Sequence, residues 1–98
     1  MNEPSSEPKL PQFGQESIDR RALSRAHQWR LAAVGAAVRT RREALGLSQD
    51  ELGHLAGMHR TYVGSVERGE RNMTLGSLIA ICGALQLQPH ELLRRAGT

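Results

Sequence analysis

Three glycines punctuate this chain and limit what it can become. From Leu31 onward, large apolar residues recur at three- and four-residue intervals, and Gly46, Gly57 and Gly69 each interrupt that rhythm. Such spacing puts apolar side chains on one face of a helix, and glycine ends helices because left-handed backbone carries no steric penalty for it. Leu31, Val34, Val38 and Leu45 therefore mark a first helix that stops at Gly46. Ser48, followed three residues later by Glu51, has the pattern of a capping box and starts a second helix, with Leu52, Leu55 and Ala56 on its apolar face and Gly57 as its stop. A short third helix runs within residues 59–68 through Val63 and Val66 and closes at Gly69. Gly64 inside it lowers helix propensity by about 1 kcal/mol relative to Ala. Thr74 caps a fourth helix through Leu75, Leu78, Ile79, Ile81, Cys82 and Leu85, and Pro89 opens a fifth containing Leu92 and Leu93. No strand pattern occurs. The expected fold class is all-α, with five helices around an aliphatic core, because Phe13, Trp29 and Tyr62 are the only aromatic residues.

The chain has 98 residues, enough for one small domain and too few for a two-domain enzyme. Residues 29–98 are expected to form that domain. Residues 1–28 are expected to be an N-terminal extension, disordered or marginally helical. Its first sixteen residues contain Pro4, Pro8 and Pro11 and too little apolar surface to offset ordering entropy. From Ser17 to Arg30, Ile18, Ala22, Ala26 and Trp29 make only a thin helical stripe; packing of Trp29 against the domain is favoured over a partner contact. Cys82 has no second cysteine to pair with, and neither a signal peptide nor a membrane span is seen, so the expected compartment is the cytoplasm.

Charge is distributed unevenly. The formal net charge is +3, yet residues 20–42 carry seven arginines and no acid. That cluster is either a solvated helix face or an accessory arm that tracks phosphates or enters a minor groove, with Arg39 and Arg41 the first residues to consider.

Within residues 49–68, the string QDELGHLAGMHRTYVGSVER places small Gly53 between apolar Leu52 and turn-forming Gly57, with Met58, Val63 and Val66 beyond. Two helices crossing steeply after a short turn need a very small residue where their backbones approach, a glycine in the turn, and apolar residues facing inward from both. On these residues the chain resembles the lambda-repressor-like, XRE-type helix-turn-helix DNA-binding regulators over about residues 31–95. The string HRTYVGSVERGERN, residues 59–72, is similar to the controller proteins of restriction-modification systems and related small bacterial repressors.

The resemblance implies a compact five-helix domain acting as a sequence-specific transcriptional regulator on double-stranded DNA, its base readers carried by a recognition helix in the major groove. It assigns Arg60, Thr61, Tyr62 and Ser65 to base reading, Arg60 by donating twice to guanine N7 and O6. It assigns Gln49 to a phosphate at a helix start, with Arg68, Arg71 and Asn72 extending the clamp. It also implies that Glu67 pairs with Arg42 to orient the recognition helix, and that Gly53 and Gly57 are structural.

A homodimer is expected, because one recognition helix reads few base pairs while a two-fold pair reads two half-sites. Leu85, Leu87, Leu92 and Leu93 are candidates for its surface, unless the core uses them. No sensor domain is expected after Thr98. Two rivals remain: an antitoxin that binds DNA and also masks a toxin through the N-terminal extension, and a helical protein-interaction module without DNA binding. Catalysis and metal binding find no support. His27, His54, His59 and His90 are scattered, Cys82 falls in an apolar helix, and there is no phosphate-cradling glycine loop or nucleophile with an identifiable base, so neither enzyme activity nor a cofactor is expected.

Overall fold

The computed structural model describes residues 20–97, with side chains described from residue 24. Five helices follow in order: α1 (Arg20–Ala44), α2 (Gln49–Ala56), α3 (Arg60–Glu67), α4 (Leu75–Ala84) and α5 (Pro89–Ala96). No strand occurs among the described residues. Helix α2 packs on α3 and α4, α1 packs on α3 and α5, and α4 meets α5. Val38, Leu52, Val63, Val66, Ile81, Cys82, Leu85, Leu87 and Leu92 form the buried core where these faces converge. Burial also pushes the Cys82 thiol pKa up, in keeping with a small core residue.

Local chemistry sets the helix boundaries. Ser48 Oγ accepts the Glu51 backbone N–H at 2.9 Å while Ser48 N–H donates to Glu51 Oε1 at 2.8 Å, so two otherwise orphaned amides are satisfied reciprocally. Those same bonds hold the exposed Glu51 carboxyl below its ordinary pKa. Gly57 ends α2 at φ 72°, and Thr74 Oγ1 accepts the Ser77 N–H at 3.0 Å to begin α4. At the start of α5, Gln88 N–H donates to Glu91 Oε1 at 2.8 Å.

Two close helix approaches determine how the elements cross. A Cβ on Gly53 would lie 2.5 Å from the Met58 carbonyl oxygen, so α2 reaches the following turn only because that position is bare. Gly35 does the same for α1 and α3: its Cβ would overlap the Val66 carbonyl oxygen and sit 2.7 Å from that of Glu67. Sequence spacing singled out Gly53 but not Gly35.

Three expectations are corrected here. The first helix does not begin at Leu31; α1 runs unbroken from Arg20 across the boundary expected between residues 28 and 29. Residues 24–30 are all exposed, and Trp29 keeps 64% of its surface in solvent, so it does not pack against the domain. The neighbouring helices cover α1 only from about Leu31 onward. Leu85, Leu87 and Leu92 are core residues and Leu93 is half-buried, so they do not form an open face. Among the described residues, the large apolar side chains left in solvent besides Trp29 are Leu55, Leu75 and Ile79. The expected disordered leader lies outside the described residues.

Gly35→Ala and Gly53→Ala should each destabilise the domain by about 1–3 kcal/mol through overpacking. Thermal unfolding followed by circular dichroism should then show a Tm lower by roughly 4–8 °C per kcal/mol. An unchanged Tm would contradict the close approach at that glycine.

Candidate nucleic-acid interface

Helix α3 is held by its middle and left open at its start. Val63, Gly64, Ser65 and Val66 are buried, whereas Arg60 and Thr61 are exposed and Tyr62 is half-buried. A helix of eight residues cannot orient itself, since isolated helices of that length are marginal in water. Its orientation comes from contacts near its C-terminal end. Arg42 Nε donates to Glu67 Oε2 at 2.7 Å and Arg42 Nη2 to Glu67 Oε1 at 3.1 Å, a two-bond fork between α1 and α3. Arg42 Nη1 donates to the Leu47 carbonyl at 2.8 Å, tying in the turn before α2. Gln49 Nε2 donates to Glu67 Oε1 at 3.0 Å, which brings the first residue of α2 into the same network. The two charged side chains are only 10% and 3% exposed. The Glu67 carboxylate pushes the Arg42 pKa still higher, so this guanidinium stays charged throughout the ordinary pH range.

A Cβ on Gly64 would meet Gln49 Oε1 at an ordinary contact distance of 3.5 Å and would crowd only the end of the Arg68 side chain, at 3.1 Å.

The expected site residues separate into distinct groups. Arg60 and Thr61 stand together in solvent at the start of α3. Tyr62 lies beneath the Arg71 guanidinium, whose carbon is 5.4 Å from the ring centroid. Ser65 departs from its expected role. It is 5% exposed, its hydroxyl donates to the Tyr62 carbonyl at 2.7 Å, and it accepts from Arg71 Nε at 3.1 Å. It therefore holds Arg71 in place and has no free edge for a base. Arg71 and Asn72 are exposed on the loop after α3, and Arg68 is exposed with Nε donating to Glu70 at 3.1 Å.

The accessory cations also divide. Arg41 Nε donates to the Leu85 carbonyl at 2.9 Å, so this half-buried residue ties α1 to the end of α4. Arg39 pairs with Glu43 one turn along the exposed face of α1 at 3.1 Å. Arg25 and Arg30 are exposed and carry no ion pair among the described residues. No group of three or more His, Cys, Asp or Glu that could hold a metal ion occurs among the described residues, nor does any helix there have the length and apolarity to cross a membrane.

Sequence spacing gave no sign of His59. Its Nδ1 accepts the Thr61 backbone N–H at 3.1 Å, making it the N-cap of α3. Histidine is outside the usual capping set of Ser, Thr, Asp and Asn, so only the observed geometry reveals this cap.

Two short helices, α2 and α3, packed together across a tight turn with the second open at its start have the form of a helix-turn-helix, and the Helix-turn-helix family matches residues 38–92. The chain belongs to that family, in its XRE-type branch. It is 50% identical over 60 residues to control protein C.SmaI of Serratia marcescens, an alignment covering 61% of this chain and 71% of that protein. The crystal structure of the restriction-modification controller protein C.AhdI from Aeromonas hydrophila superposes with a TM-score of 0.62 at 45% identity, covering 63% of this chain and 94% of the other. The DNA-binding domain of the P22 c2 repressor gives a TM-score of 0.59 at 33% identity, over 61% of this chain and 79% of that one. The family match begins within α1, so the exposed first half of that helix lies outside it.

Removing the Glu67 carboxylate should leave Arg42 buried without its counter-charge. Glu67→Ala is expected to cost about 3–5 kcal/mol in a urea unfolding experiment. A loss below about 1 kcal/mol would show that the pair does not hold α3 in place.

Proposed function

We propose that this protein is a sequence-specific, DNA-binding transcriptional regulator that presents the start of α3 to the major groove. The observation that carries the reading is the contrast along α3: its inner face is sealed into the core while Arg60 and Thr61 are exposed at its leading end. Arg60 is the strongest base reader, since a guanidinium can donate two parallel hydrogen bonds to guanine N7 and O6. Thr61 and Tyr62 complete the reading edge. Arg68, Arg71 and Asn72 follow on the adjoining loop, and Gln49 stands at the start of α2; these groups suit phosphates on either side of the groove. Ser65 drops out of the reading set because its hydroxyl is already used. The protein would act in the cytoplasm, where bacterial DNA lies.

The regulator works as a homodimer in this reading. Leu55, Leu75 and Ile79 are exposed on α2 and α4, and Leu55 also borders a shallow hollow lined by Ala56, Ala80, Gly83, Ala84 and Gln86. A face with both projections and a hollow can meet a second copy of itself about a two-fold axis, where each surface must fit its own image. Similarity to control protein C.SmaI and to the restriction-modification controller C.AhdI supports a role in controlling such a system.

Selection of bound sites from random duplexes at near-physiological salt tests this reading. It should return an inverted repeat with half-sites about one DNA turn, roughly 34–36 Å, apart. Arg60→Ala should weaken binding to the selected site by about 5- to 150-fold, equivalent to ~1–3 kcal/mol, and random DNA far less. Equal losses on both would remove Arg60 from base reading. Absence of any salt-sensitive DNA binding would favour a protein-interaction module instead.

A further inference from the structure

The cap at the start of α3 does more than end a helix. His59 Nδ1 accepts the Thr61 N–H at 3.1 Å and also lies 2.8 Å from Thr61 Oγ1. The first contact assigns the ring's proton. A nitrogen that accepts a backbone N–H bears no hydrogen itself, so the neutral imidazole carries its hydrogen on Nε2. Thr61 Oγ1 then faces an acceptor. Two lone pairs opposed at 2.8 Å would repel, so the hydroxyl hydrogen must point at Nδ1, and the ring's one lone pair serves both Thr61 donors as a three-centre bond.

A threonine hydroxyl has a single hydrogen. Once that hydrogen is committed to His59, the oxygen can only accept on its remaining side. An unconstrained hydroxyl rotates to suit either a donor or an acceptor, and so discriminates poorly between bases. Here that rotation is stopped, and both residues are exposed at the leading end of α3.

We infer that His59 is a positioning residue which makes Thr61 an obligate acceptor, so that Thr61 selects a base amino group in the major groove. This rests on the major-groove reading above. The groove offers such donors at adenine N6 and cytosine N4, whereas guanine N7 and O6 and thymine O4 only accept. The base facing Thr61 is accordingly adenine or cytosine. His59 itself touches no base in this scheme; it acts through the threonine.

The test is site selection with the full chain and three variants, T61V, H59A and H59N, at one fixed salt concentration. Loss of preference in T61V identifies the base position that Thr61 faces, and the wild-type protein should prefer adenine or cytosine there. H59N should keep that preference, because the amide carbonyl can accept from both the backbone N–H and the hydroxyl. H59A should let guanine or thymine gain about 3- to 10-fold, the worth of roughly one hydrogen bond. As a measurement that does not rely on variant folding, removing the exocyclic amino group from the identified base should weaken wild-type binding by a similar factor. An unchanged preference in H59A, guanine or thymine at the position found by T61V, or indifference of the wild type to the amino group would overturn the inference while leaving major-groove recognition standing. A wild-type protein that selects no sequence would overturn both.

Discussion

Arg42 and Glu67 are buried together between α1 and α3, and the placement of the exposed start of α3 follows from how they are satisfied. Taking two charges out of water costs several kcal/mol per ion, which close pairing alone seldom offsets. The rest must come from additional hydrogen bonds. Arg42 supplies two to Glu67 and a third to the Leu47 carbonyl, and Gln49 gives Glu67 one more. Together these four bonds join α1, the turn after it, the start of α2 and the end of α3. The pair therefore matters less as a source of net stability than as a geometric constraint. An apolar contact can slide, whereas a two-bond fork is satisfied over a narrow range of angles.

Glycine makes that geometry accessible. Gly35 lets the α1 backbone come down onto the last turn of α3, which is where Glu67 must be reached, and Gly53 lets α2 fold back closely on the turn leading to α3. With its far end anchored, α3 can leave its first residues in solvent without losing its direction. The loop after α3 is organised by a second, smaller network, in which buried Ser65 braces Arg71 and Arg71 lies over Tyr62. Exposed Arg60 and Thr61 at the start of α3 and the cations on the loop are thus carried on one frame.

Much of this was legible in the residues. Helix periodicity from α2 onward, the Ser48 and Glu51 capping box and the left-handed turn at Gly57 are local signals, and these appear where the sequence puts them. The Arg42 and Glu67 pair spans 25 positions and became visible only through family resemblance, because spacing along a chain does not reveal which faces meet. The misreadings share that cause. Ser65 shares the short α3 sequence with Arg60, but one turn further along the helix faces the core. Arg41 looks like one more surface cation until the end of α4 is placed beside it. Leu85, Leu87 and Leu92 have the composition of an interface, yet the small core consumes them. Gly35 carries no local pattern at all, and the His59 cap departs from the residue preferences by which caps are recognised.

The central proposition is that the leading end of α3 and the loop that follows it form the DNA-facing surface. Amide chemical shifts of the labelled protein, followed as the selected duplex is added, test this most directly. The account predicts the largest changes at Arg60, Thr61 and Tyr62, with a second group at Arg68, Arg71 and Asn72, and small changes at Leu85 and Leu92. Large changes confined to the exposed half of α1, with none at the start of α3, would contradict it.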